Sequence, residues 1–204
     1  MFKNKLLGLI LFTLVGGILQ GCQEMTPPKL MGLRYKDNPP LLLNIGKIQV
    51  VLKEQSTRGR KSSEEPLPNN LVKMIIQWAK GHLKPVGRAG EAHIVIDEAS
   101  ILVEKTPDQS KMKWFVTSTG ETYHATLDVT FEIYNSKGIR QSFAHTRVTR
   151  SRGIPLGVEV AYQQKILEAL EEDMLNVFAE KMEETIKKNL SHFLGERQNW
   201  FKAN

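Results

Sequence analysis

The chain has 204 residues, a formal charge of +6 at pH 7 and a single cysteine. One cysteine excludes an intrachain disulfide and leaves too few soft ligands for a structural zinc site. The charge is mildly basic, short of the footprint of a nucleic-acid binder. The length suits one domain with a sizeable core.

Lys3 and Lys5 precede an apolar run from Leu6 to Leu19, of signal-peptide length and too short for a comfortable membrane span. The run ends in Leu19-Gln20-Gly21-Cys22, which resembles the lipobox of bacterial lipoproteins. That resemblance implies a signal peptide over residues 1–21 and a diacylglycerol thioether on Cys22, the first mature residue. Two or more acyl chains then hold the product permanently at a membrane. Gln23 stands where an Asp would retain such a lipoprotein at the inner membrane, so the resemblance implies the inner leaflet of the outer membrane, facing the periplasm. Cleavage would leave 204 − 21 = 183 residues and, without Lys3 and Lys5, a charge of +4 (6 − 2 = 4).

Residues 22–40 carry Pro27, Pro28, Pro39 and Pro40 among polar side chains and read as a lipidated, flexible tether. A single domain is expected over 41–194, with a C-terminal tail over 195–204. Leu41 to Leu52 reads as one strand, with Ile48, Val50 and Leu52 in alternation. Lys53 to Pro68 is a breaker-rich loop. Its cluster of Arg58, Arg60 and Lys61 suits either a solvated tip or anionic headgroups. Next comes a helix that Asn69 or Asn70 can cap and Lys84-Pro85 ends. Leu71, Met74, Ile75, Trp78 and His82 share one stripe of it, with Trp78 as a core anchor.

Ala92 to Glu104 is the second strand. Its inward parity switches from Ile94 and Ile96 to Ala99, Ile101 and Val103, which calls for a bulge near Asp97-Glu98. A polar loop from Thr106 to Gly120 follows. In the third strand Tyr123, Ala125, Leu127, Val129, Phe131 and Ile133 share a buried face, and His124, Thr126, Asp128, Thr130 and Glu132 a wet one. Asn135-Ser136-Lys137-Gly138 is a hairpin turn, and Gln141 to Arg152 returns as the fourth strand. Gly153 to Gly157 breaks the sheet. A final helix of about 35 residues, about 50 Å, is expected from about Val158 to Leu194. Leu167, Leu170, Met174, Val177, Phe178, Ile186, Leu190 and Phe193 form its apolar stripe, and Glu168, Glu171, Glu172 and Asp173 its solvated face. The order β-α-β-β-β-α predicts an α+β two-layer sandwich, with a four-stranded, mostly antiparallel sheet and both helices on one face.

The five histidines, His82, His93, His124, His145 and His192, stand at no zincin spacing. Ser110-Lys111-Met112-Lys113 matches S-x-x-K, but no K-T-G or S-D-N partner follows. No metal, no cofactor and no catalytic residue is therefore assigned, and the chain is not read as an enzyme. Arg150 and Arg152 share a strand face beyond the expected reach of the helices. They are the candidate contacts to anionic lipid, against the alternative of a basic edge that discourages strand addition.

The region from Leu41 to Leu194 resembles the LPS-assembly lipoprotein family. The resemblance rests on the lipobox, the first helix, Ala92-His93-Ile94-Val95-Ile96, Tyr123-His124-Ala125-Thr126-Leu127-Asp128-Val129, Lys137-Gly138, Val148-Thr149-Arg150 and the long Glu-rich final helix. It implies a non-enzymatic accessory in cell-envelope assembly that binds an outer-membrane protein partner, with lipopolysaccharide or phospholipid as a further ligand. An auxiliary lipoprotein of an ABC-type lipid transport system is similar in layout. A regulator of an envelope enzyme is the third alternative.

Overall fold

The computed structural model describes residues 28–53, 64–66, 70–105, 119–155 and 157–195. The elements are β1 (Leu41–Leu43), β2 (Lys47–Leu52), β3 (Glu64–Pro66), α1 (Leu71–His82), β4 (Leu83–Pro85), β5 (Glu91–Lys105), β6 (Thr119–Tyr134), β7 (Arg140–Pro155) and α2 (Val160–Asn189). The main sheet runs β2-β5-β6-β7, with β3 added beside β5. β2 lies parallel to β5, because α1 intervenes and returns the chain in the same direction, whereas β5, β6 and β7 are antiparallel neighbours. Both helices cover one face. α2 packs on β7 and β6, and α1 on β5 and α2. This is the α+β sandwich expected, with one parallel pair in the sheet.

Alternation decides which face is covered. Tyr123, Ala125, Leu127, Val129, Phe131 and Ile133 are all buried under the helices. On β5 the pairing with β6 shifts between Ile96 and Glu98. Ile94 and Ile96 are buried before that bulge, Ala99, Ile101 and Val103 after it. Without the extra residue the second half of β5 would turn its carboxylates into the core. Trp78 of α1 is fully buried and meets Phe178 of α2 edge-on, 5.1 Å between centroids. The hairpin turns on Gly138, at φ 73°, while Asn135 Oδ1 accepts from the Lys137 and Ile139 amides.

Four expectations about strand and helix bounds are corrected. The run from Leu41 to Leu52 is two strands, not one. β1 pairs parallel with β4 in a separate two-stranded sheet, and Leu43 also bridges Leu194. The chain then turns at Asn44–Gly46, where the Gly46 amide donates to Ala89 and Gly90, before β2 joins the main sheet. Within the expected loop, Glu64–Pro66 pairs antiparallel with β5. β7 does not stop at Arg152 but runs to Pro155, because Ile154 is buried and pairs with Glu121. α2 spans 30 residues, about 45 Å, and ends in a 3-10 turn at Ser191–Phe193.

The carboxylates of α2 are not simply a solvated face. Glu171 is buried and accepts from the Asn70 amide at 2.6 Å. Asn70 makes no side-chain cap of its own, so α2 supplies the anion that the N-terminus of α1 favours. Glu172 accepts from the Met31 and Gly32 amides at 3.0 and 3.2 Å. Asn176 accepts from the Arg34 amide and donates to the Gly32 carbonyl. Within the proline-rich stretch, the chain is thus fastened to α2 from Met31 onward, and Tyr35 is buried against His82.

Candidate functional site

The face of the sheet opposite the helices is uncovered among the described residues. Its side chains form polar contacts that run across three strands. Register places Asp128 of β6 between Glu98 of β5 and Arg147 of β7. The Asp128 carboxylate accepts from His145 Nε2 at 2.6 Å and from Arg147 Nη1 at 2.8 Å, and Arg147 Nη2 reaches Glu98 at 3.3 Å. At the bulge, Asp97 accepts from Thr130 Oγ1 at 2.8 Å and pairs with Lys53 at the end of β2. The Asp97 contact holds the Lys53 ammonium above its ordinary pKa.

At one end of this face, Glu132 accepts from the Tyr134 hydroxyl at 2.8 Å and from Arg140 Nη1 at 2.7 Å. Burial opposes ionisation of Glu132, yet these two hydrogen bonds outweigh it and hold the carboxyl below the ordinary range. Arg140 also lies over the exposed Phe143 ring, 5.3 Å from its centroid. His93 sits against Tyr134 at 4.8 Å and meets Glu91 at 3.1 Å.

At the other end, three strands contribute one residue each. His124 Nε2 donates to Glu104 at 3.0 Å, and His124 Nδ1 meets Ser151 Oγ at 2.9 Å. The distances are those of a nucleophile, base and orienting carboxylate. The surroundings are not: the His124 and Glu104 side chains are 32% and 33% exposed on a strand surface. Charge developing there would meet water rather than preorganised donors. The three read as cross-strand polar pairing. Sequence spacing held no signal of them, since Glu104 and Ser151 lie far from His124 in the chain.

Two grooves lie elsewhere. One, of about 540 Å³, is lined by Arg34, Tyr35, Asn176, Glu180, Glu183 and Lys187, among others. Beneath it His82, buried at 2%, donates from Nε2 to Glu183 at 2.9 Å. That bond and the Lys187 ammonium, against the opposing effect of burial, push the Glu183 carboxyl down to about 2. The other groove, of about 380 Å³, straddles the outer edge of β7 beside the C-terminal half of α2.

The two arginines singled out in the sequence do share the helix-side face of β7. Arg150, however, is reached by α2: its Nε donates to Asp173 at 3.1 Å and its Nη1 to the Thr149 carbonyl. Helix coverage therefore extends further along β7 than the sequence suggested. Arg152 is exposed, opposite Tyr123. Cys22, the basic cluster of Arg58, Arg60 and Lys61, Ser110 and Lys113 lie outside the described residues. Among the described residues, no group of three or more His, Cys, Asp or Glu side chains is arranged to hold a metal ion. No helix among them is long and apolar enough to cross a membrane.

No protein-family model matches the chain, and no curated protein matches it. Solved structures of lipoproteins are among those similar to it. Rare lipoprotein B from Shewanella oneidensis is 14% identical, with 69% of this chain and 94% of that chain covered, at a TM-score of 0.37. Uncharacterized lipoprotein B from Nitrosomonas europaea is 13% identical, with 80% and 93% covered, at 0.42. A minor lipoprotein from Acinetobacter baumannii is 12% identical, with 74% and 98% covered, at 0.35.

Proposed function

We propose that the chain is a lipid-anchored, non-enzymatic accessory of cell-envelope assembly. Cys22 holds it at the inner leaflet of the outer membrane, and its uncovered sheet face docks a membrane-protein partner. The observation that carries this reading is the face itself. Asp97, Asp128 and Glu132 are each fixed by two donors from neighbouring strands or from the same strand, so their orientation exists before any partner arrives. A surface already ordered loses less side-chain entropy on docking. Charges arranged in this way select a partner of complementary potential. The anchor rests on Leu19-Gln20-Gly21-Cys22, in which Cys22 is the chain's only cysteine. Lipopolysaccharide as a second ligand follows from the family resemblance alone.

Two measurements test it. Cys22→Ala should move the protein out of the membrane fraction or leave an unprocessed precursor; a mature, membrane-bound variant overturns the anchor. A photo-crosslinking amino acid at Thr126 or Thr149, both on the uncovered face, should trap one membrane protein in cells. The same probe at Lys165, on the exposed side of α2, should not. Equal adducts from all three positions, or none, overturn the docking face.

A further inference from the structure

Among the described residues β7 pairs with β6 alone, which leaves its other side as the open edge of the sheet. An open edge presents unpaired backbone donors and acceptors along 16 residues. We propose that this edge accepts an extended acidic segment of a partner protein as an added strand. The inference goes beyond the docking face and stands without it.

Charge decides the occupant. β7 carries Arg140, His145, Arg147, Arg150 and Arg152 and no carboxylate. The groove along its outer side is lined by His145, Thr146 and Arg147 on the strand and by Lys181, Thr185 and Lys188 on α2, with Glu184 as its one carboxylate. Thr146 faces the helices, whereas His145 and Arg147 face the open side, so the groove straddles the strand rather than lying on either face. A strand added about 4.8 Å from β7 would occupy it. Alternate side chains of that strand would then meet Lys181 and Lys188 on one side, and on the other His145 and Arg147, which already hold Asp128. Lys181, Lys188 and Arg152 are exposed and have no ion-pair partner among the described residues.

The other occupants fit less well. A second copy pairing through β7 would bring together two strands that each hold four arginines and no carboxylate, which is unfavourable. The chain's own remaining segments are no better: residues 1–27, 54–63, 106–118 and 196–204 each carry more basic than acidic side chains. The same arginines that disfavour a copy therefore favour an acidic strand over an uncharged one. From Lys181 to Asn189 the helix wall runs about 12 Å, enough for about four residues of strand.

The probe is an end-blocked hexapeptide of alternating Glu and Val, titrated against the full chain in detergent. It should bind and slow amide exchange along β7. A peptide of the same sequence, N-methylated on alternate residues, keeps every charge but cannot complete a ladder, and should not bind. Lys181→Glu with Lys188→Glu should weaken the unmodified peptide by about tenfold or more. Three results overturn the proposal: no binding of the unmodified peptide, equal binding of the methylated one, or binding with no added protection on β7. Displacement of the bound peptide by phosphatidylglycerol vesicles but not by phosphatidylcholine vesicles would make anionic lipid the occupant, and overturns it as well.

Discussion

Glu183 shows how one side chain links two helices and a pH dependence. It lies on α2 with its side chain 18% exposed, takes a hydrogen bond from the buried His82 at the end of α1, and is paired one turn later with Lys187. Its carboxyl is pushed from an ordinary 4.5 down to about 2. A carboxyl whose folded pKa is depressed contributes stability that is present above the unfolded value and lost as pH falls. The loss here falls between about pH 4.5 and pH 2. Glu183→Gln should therefore lower stability at pH 7, by on the order of 2 kcal/mol once its partial exposure is discounted. The deficit should shrink as pH is lowered from 5 to 3. Thermal unfolding of both proteins across that range is the check, and parallel curves would show that Glu183 is not the titrating group. Nothing in the sequence marked this residue. Glu183 and His82 are 101 positions apart, as are Glu171 and Asn70. Spacing along a helix reports which residues share a face, not which distant donor that face will meet.

At the scale of the element, alternation was the strongest signal in the chain, and β6 shows why. Each inward position is apolar and each outward one polar for the length from Tyr123 to Glu132, so a slip by one residue would bury the whole charged set. Leu127→Asp or Phe131→Asp should abolish cooperative unfolding, because each places an unpaired charge at a fully buried position. Thr126→Ala, on the half-exposed face, should stay within about 0.5 kcal/mol of the parent. Thr130→Ala should cost more, about 1 kcal/mol, because it removes the hydroxyl that orients Asp97. Chemical denaturation of the four variants ranks them; equal losses would mean that the buried face has been assigned to the wrong parity. The bulge of β5 was legible for the same reason, as a visible change of parity. The division of β1 from β2 was not. Leu41, Leu43 and Ile45 alternate with the same period as Ile48, Val50 and Leu52, and the phase shift between them at Asn44–Gly46 is one that a bulge within a single strand would also give. What separates them is a long-range pairing, β1 with β4 and Leu194, which local pattern does not encode.

At the scale of the whole molecule, the fastening of the N-terminal segment would limit how far the domain can stand from the anchor proposed at Cys22. Composition alone makes residues 22–40 a free tether. In the structure Glu172 and Asn176 of α2 hold the chain from Met31 to Arg34 through four hydrogen bonds. With lipid on Cys22, the first fastened residue would follow it by 31 − 22 = 9 residues. Nine extended residues span about 30 Å at most. On the proposed anchor, the point where α2 holds residues 31–34 would lie within that distance of the bilayer. Glu172→Ala with Asn176→Ala should release this strap and lower the melting temperature of the domain without unfolding it, since Asn176 and Tyr35 lie at the margin of the core. Limited trypsin digestion reads the difference. The parent should be trimmed after Lys29, to a fragment beginning at Leu30, because the strap shields the bonds that follow. The double variant should be trimmed further, after Arg34 or Lys36, to fragments beginning at Tyr35 or Asp37. Identical fragments from both proteins at equal rates would show that these four hydrogen bonds do not hold the segment, and the short reach inferred from them would go with it.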